Sequence, residues 1–274
     1  MKIYSLILIL CTFCFTQQAF YIENDSAIGH FHNSKNAQNI LISGDQNSQL
    51  ETLAVDHTNQ KIYWNSYSEA KNTSTIYKAN LDGSQIETVF SDVSSIRDLC
   101  VDGKNDRLIW VMSYDQVFFA DLDGNLQQIV DVDFVDDIVI NSKTLEIYWR
   151  YHDGKTSTTH IQRRDWHGRL IENIHSESDL NNHIVDIAID NNGNIYWSED
   201  IDFDTNPTYR LKRKTAKGVE TVVKKSSRVL SSLSIRDNKI YWSNGKAIKK
   251  ANLDGSQIEY FHINNNGISS INIR

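Results

Sequence analysis

LSSLSIRDNKIYWSNGKAIKKANLDGSQIEYF, residues 230–261, is the stretch that decides the fold. It holds four short apolar or alternating runs separated by turn signals. Residues 235–240, Ile-Arg-Asp-Asn-Lys-Ile, fold the first run back on the second. Asn244-Gly245 leads from the second run to the third, and Asp254-Gly255 from the third to the fourth. Asn-Gly and Asp-Gly are favoured in two-residue hairpin turns, because both central residues there need positive φ. The stretch therefore predicts a four-stranded antiparallel meander. So small a sheet has two apolar faces and needs neighbours to be stable.

The neighbours are copies of it. Trp242 has counterparts at Trp197, Trp149, Trp110 and Trp64, at spacings of 45, 48, 39 and 46 residues. A period of about 40–50 residues with four strands per copy predicts a β-propeller. The inner strand recurs as LETLAVD (50–56), IRDLCVD (96–102), VDDIVIN (135–141), IVDIAID (184–190) and LSSLSIR (230–236). A sixth copy, ISSINIR (268–274), ends the sequence, and strands to follow it stand at residues 20–22, 27–31 and 39–42. The expectation is an all-β, six-bladed propeller over residues 19–274, its first blade closed by the C-terminal strand, which removes open edges. Blades stack face to face, so both sides of each Ile-Tyr-Trp run should be buried and the five tryptophans should pack between blades.

The 274 residues are enough to bury a substantial core. One proline and twelve tyrosines suit an all-β domain. A net charge of −7 argues against nucleic acid as a partner. Residues 1–18 read as a secretory signal peptide, with Lys2 as the positive region and residues 3–15 as the apolar core. No later run is long and apolar enough to span a bilayer, so stable membrane insertion is not expected. Cys11 and Cys14 would leave with the signal, and Cys100 reads as a small buried side chain on an inner strand. No disulfide framework is expected. The basic outer strands of the fifth blade (Arg210, Lys212, Arg213, Lys214, Lys217, Lys224, Lys225) read as a solvated rim.

No nucleophile motif, metal-ligand spacing or phosphate cradle is present, so no catalytic residue and no cofactor is assigned. Asp98, Asp137 and Asp186 share one inner-strand position in consecutive blades. That register brings three carboxylates to one end of the central channel, where they could ligate calcium or cap strand starts by hydrogen bonding. The loops between second and third strands, and those between blades, emerge on one face. There the third to fifth blades collect Asp131, Asp133, Phe134, Tyr151, His152, Glu199, Asp200, Asp202, Phe203 and Asp204. Carboxylates around aromatic rings suit a partner with a basic, partly apolar patch. Asn24-Asp25-Ser26 and Asn72-Thr73-Ser74 are glycosylation acceptors in loops of that same face, with Asn24 and Asn72 as the acceptor residues.

Leu53-Ala54-Val55-Asp56, Ile62-Tyr63-Trp64, and residues 79–84 with their twin 251–256 (Ala-Asn-Leu-Asp-Gly-Ser) resemble the Tyr-Trp-Thr-Asp (YWTD) repeats, the class B repeats of the low-density lipoprotein receptor family and nidogen. The resemblance covers residues 20–274. It implies a YWTD-type six-bladed propeller that binds an extracellular protein ligand on its loop face. The family's Thr-Asp appears here as Asn65-Ser66, Val111-Met112, Arg150-Tyr151, Ser198-Glu199 and Ser243-Asn244, which marks a divergent member and puts the bonds of that aspartate in doubt. The growth-factor-like modules, ligand-binding repeats and membrane anchor of family receptors are not in this sequence. The expectation is a secreted, non-enzymatic, glycosylated propeller that binds a protein. Two alternatives stand beside it: a calcium-dependent hydrolase of the lactonase or strictosidine-synthase type, and a structural matrix protein.

Overall fold

The last strand of the chain pairs with the first. In the computed structural model, which describes residues 18–32, 38–179, 182–201, 208–226, 230–264 and 266–273, Ile273 stands opposite Ala19 and Ile271 opposite Tyr21 in an antiparallel ladder. That ladder closes a ring of six four-stranded antiparallel sheets. The expected signal segment lies outside the described residues except for Gln18.

Blade 1 comprises β1 (Gln18–Glu23), β2 (Ala27–His32) and β3 (Gln38–Ser43), and it is completed on the inside by the last strand of the chain. Blade 2 follows as β4 (Ser48–Asp56), β5 (Lys61–Ser68), β6 (Thr73–Asn80) and β7 (Glu87–Val93). Blade 3 is β8 (Ile96–Asp102), β9 (Arg107–Met112), β10 (Gln116–Ala120) and β11 (Leu126–Asp131). Blade 4 is β12 (Val135–Asn141), β13 (Glu146–Asp153), β14 (Thr158–Arg164) and β15 (Leu170–Glu177). Blade 5 is β16 (His183–Ile189), β17 (Ile195–Ile201), β18 (Thr208–Thr215) and β19 (Gly218–Ser226). Blade 6 is β20 (Ser231–Arg236), β21 (Lys239–Ser243), β22 (Ala247–Asn252) and β23 (Glu259–Ile263), and β24 (Ile268–Ile273) then crosses back to blade 1. Each blade runs as a meander from its inner strand outward.

Alternation along the second strands explains why they show no polar positions. Ile62 and Trp64 pack toward blade 1, in a cluster with Phe20, Ile22 and Ile42. Tyr63, between them, points the other way, into a cluster with Leu108 and Trp110 of blade 3. Trp64, Trp110, Trp149, Trp197 and Trp242 are all buried. Their cross-strand partners differ: Trp64 and Trp110 stack on Tyr77 and Phe118, whereas Trp149 lies under Arg164.

The recurrent inner-strand aspartate caps the turn that follows it. Asp56 Oδ1 accepts the amides of Thr58 and Asn59, and Asp190 Oδ1 those of Asn192 and Asn194. The turn is then fastened to the next blade: Asn59 donates to the Gly103 carbonyl and Asn105 to that of Ser142. At the rim the Asp-Gly loops reach the other way, to the preceding blade. They are longer than the two-residue hairpins expected, with β22 ending at Asn252 and β23 starting at Glu259. The extra residues bring Gly255, at φ +81°, so close to the Val222 carbonyl of blade 5 that an added Cβ would lie 2.0 Å from that oxygen. Arg213 Nη1 reaches Leu253 O across the same seam at 2.9 Å.

Candidate binding surface

Every inner strand carries a bulge at the position the three aspartates occupy. The register shifts between Leu50 and Leu53, Ile96 and Asp98, Val135 and Asp137, Ile184 and Asp186, and Ser231 and Ser234. In β24 it shifts opposite Ile22 and Glu23. A bulge leaves one backbone amide out of the ladder. In blade 3 that amide, Leu99 N, bonds its own strand's Asp98 Oδ1 at 2.8 Å, and in blades 4, 5, 6 and 1 it bonds to the preceding blade. Ile138 N donates to Asp98 Oδ2 (2.8 Å), Ile187 N to Asp137 Oδ2 (2.9 Å), Leu233 N to Asp186 Oδ2 (2.6 Å) and Ile271 N to Ser232 Oγ (2.7 Å). Thr52, at the equivalent place in blade 2, bonds Asn65 within its own sheet instead. The aspartates are thus latches between blades.

They line a central cavity of 260 Å³ together with Cys100, Ser232 and Ser270. Asp98 and Asp186 keep some surface on that cavity but lie deep in the ring. Burial, and then the Asp137 carboxylate, push both well above the usual carboxylate range. The Cys100 thiol is likewise pushed up, by burial first and then by Asp98, Asp102 and Asp137. It is therefore a thiol, not a thiolate nucleophile.

The loop face holds a different arrangement at the seam of blades 3 and 4. The connector from β11 to β12 turns sharply at Phe134, whose φ is +53° and whose side chain is 56% exposed. Its backbone is pinned on both sides: Phe134 O accepts the His152 amide (2.9 Å), and Val135 N donates to Tyr114 O (3.0 Å). The His152 ring meets Phe134 edge-on at 6.3 Å, and the Tyr114 ring lies 6.5 Å away on the other side. Arg97 sits over Tyr114, 4.2 Å from its centroid, and hydrogen-bonds its hydroxyl. Exposed Asp131 and Asp133 border this cluster, and Asp136 pairs with Arg150 at 2.8 Å.

Of the expected surface residues the structure brings Phe134 against His152. Asp133 is exposed directly before Phe134, and Asp131, at the end of β11, accepts a bond from Gln116 Nε2 at 2.9 Å. Tyr151 is half-buried, its ring stacked on His160 at 5.9 Å and its hydroxyl pushed up by burial. Asp202, Phe203 and Asp204 lie outside the described residues. Glu199 and Asp200 depart from the expected surface loop, since both are buried on β17. Glu199 accepts bonds from Trp197 Nε1 (2.7 Å) and Arg210 Nε (2.6 Å), and Lys212 Nζ stands 2.8 Å away. Burial alone would raise this carboxyl, but the bonds from His175, Lys212, Trp197 and Arg210 outweigh it and hold the pKa at about 2. Arg210 and Lys212 are accordingly half-buried ion-pair partners, a correction to their reading as a solvated rim. His175, Glu177 and Glu199 could present ligand atoms to one ion, but the two cations already on Glu199 oppose it.

Tyr114, Arg97 and Arg150 were not expected at the surface site. Tyr114 belongs to the same class of second-to-third-strand loop that pointed to Tyr151 and His152, and that class was the signal available. Asn24 and Asn72 are exposed in their loops, at φ +47° and +55°. Asn72 Oδ1 accepts the Tyr67 hydroxyl at 2.7 Å.

A chain in the crystal structure of the nidogen/laminin complex superposes with a TM-score of 0.77 at 15% identity, covering 94% of this chain and 98% of that one. The fold is shared. TolB from Acinetobacter baumannii also matches, with a TM-score of 0.71 at 11% identity over 94% of this chain and 66% of its own. In sequence, 97 residues are 28% identical to Protein cueball of Aedes aegypti, a match to 35% of this chain and 14% of that protein's length. No family model matches the chain. Among the described residues, no helix is long and apolar enough to cross a membrane.

Proposed function

We propose that this chain is a secreted, non-enzymatic propeller of the YWTD type, which binds an extracellular protein through its loop face at the seam of blades 3 and 4. The observation that carries the reading is Phe134. A bulky residue in the left-handed region costs about 1–3 kcal/mol and persists only where the surroundings impose it. Here that strain presents an aromatic ring to solvent between Tyr114 and His152. Arg97, Arg150, Asp131 and Asp133 give the ring a polar rim, the usual anatomy of a binding centre. The likeness to a chain of the nidogen/laminin complex favours a protein ligand. What favours a binder over a hydrolase is the role of the channel carboxylates, which are bonded to backbone amides of the next blade.

Glycans at Asn24 and Asn72 would cover blades 1 and 2 on this face and leave the seam of blades 3 and 4 open. Ser74, which completes the second acceptor, is fully buried, so transfer to Asn72 would have to precede folding. Mass spectrometry of secreted protein tests this.

The functional test is capture from extracellular medium with the wild type and with Phe134→Gly. The reading expects one stoichiometric protein partner that the variant loses. An identical set of captured proteins, or calcium-dependent hydrolysis of a lactone by the purified chain, would overturn it.

A further inference from the structure

We infer that the cleft between blades 5 and 6, on the outer rim, binds an extended acidic segment of a partner protein. The register of blade 6 sets Ala247 opposite Ile263 and Lys249 opposite Tyr260. Ile248 and Phe261 turn the other way, into a buried cluster with Phe31 and Ile271. On the side facing blade 5, Tyr260 and Ile263 stay 62% and 61% exposed. They form one wall of a 360 Å³ cleft, with Lys246 and Lys249 beside them and Ser226 of blade 5 opposite. That volume falls in the range of about 300–1,000 Å³ typical of ligand clefts.

Among the described residues, no carboxylate lines this cleft. Lys250, on the other side of the same strand, pairs with Glu259 at 3.2 Å. Among the described residues Lys246 and Lys249 have no ion pair, and Lys249 Nζ rests 4.9 Å over the Tyr260 ring. In a chain of net charge −7, two uncompensated cations thus flank two exposed apolar side chains. β23 is also the outermost strand of its sheet, paired with β22 alone. An exposed sheet edge takes an extended peptide through backbone bonds, while side-chain seats give selectivity. Carboxylates at Lys246 and Lys249, with an apolar side chain between Tyr260 and Ile263, complete the match. A polyanion without apolar groups would leave that seat empty, and a basic segment would be repelled.

The test uses a fluorescein-labelled peptide of alternating Glu and Leu, its Lys-Leu counterpart and heparin, followed by fluorescence anisotropy on the full chain. The Glu-Leu peptide should bind at micromolar to millimolar concentration and the Lys-Leu peptide should not. Lys246→Glu with Lys249→Glu should weaken binding at least tenfold, and Tyr260→Ala should weaken it too, with melting temperatures unchanged. Lys246→Gln with Lys249→Gln supplies a milder pair should the charge reversal disturb folding. Phe134→Gly should leave the affinity as it is, so this site and the one at blades 3 and 4 stand or fall separately. Equal binding of both peptides, heparin binding alone, or dimerisation of the chain that the lysine variants abolish would each overturn the assignment.

Discussion

Asp98 of blade 3 accepts the backbone amide of Ile138 in blade 4 at 2.8 Å, so a side chain of one sheet completes the hydrogen bonding of the next. Asp137 to Ile187 and Asp186 to Leu233 repeat the relationship around the ring. Asp98→Ala leaves a buried amide without an acceptor, a loss of about 1–3 kcal/mol. Urea denaturation would read it as a lowered midpoint with an unchanged slope.

The same latches give a pH dependence. Burial and Asp137 hold Asp98 and Asp186 above the usual carboxylate range, whereas in the unfolded chain they titrate near ~3.9. As pH rises past that value the native state keeps protons that the unfolded chain releases, so the contribution to stability turns unfavourable with rising pH. Asp98→Asn cannot titrate and keeps one of the two oxygens that accept Leu99 N and Ile138 N. Measured against wild type, its urea midpoint should be lowest below pH ~4 and gain steadily toward pH ~8. Parallel curves would contradict the assignment.

Glu199 has the opposite sign. Its native pKa of about 2 lies below the ordinary value, so its contribution is present above pH ~4.3 and is lost as pH falls toward ~2. Glu199→Gln strands Arg210 and Lys212 and should cost about 3–5 kcal/mol at neutral pH. The deficit against wild type should shrink below pH ~3, measured by thermal melting across pH.

Gly255→Ala puts a Cβ against Val222 O at a positive φ, and should cost about 1–3 kcal/mol. Gly154→Ala meets nothing within 4 Å and serves as the neutral comparison. Chemical denaturation of the two variants side by side checks the rim contact.

Phe134→Gly should raise stability by roughly 0.5–1 kcal/mol, because glycine adopts positive φ without strain. Calorimetry would show a higher melting temperature in the variant that loses the proposed binding. A lower one would mean that the ring is structural.

Blade number, strand order and ring closure were legible in the sequence, because each rests on a pattern repeated in every blade. What was hidden depends on partners far apart in the chain. Glu199 and Asp200 read as loop residues since two charges follow Tyr196-Trp197-Ser198. Only the antiparallel register that sets Glu199 opposite Arg210 shows that the charge is neutralised inside the sheet. The bulges at Asp98, Asp137 and Asp186 leave no mark in composition, and so the aspartates read as hydrogen-bonded caps of strand starts, with an ion site as the alternative, and not as latches between blades. Tyr114 and Phe134 meet through a connector whose positive φ no local motif announces.

Amide hydrogen exchange at Ile271 and Ile273 tests ring closure most directly. These two amides donate to Ser232 and Ser234 of blade 6 while their strand pairs with β1. Closure predicts that both exchange only by global unfolding, as slowly as the most protected amides of the second strands. Exchange on the timescale of exposed loops, with the rest of the ring still protected, would contradict it.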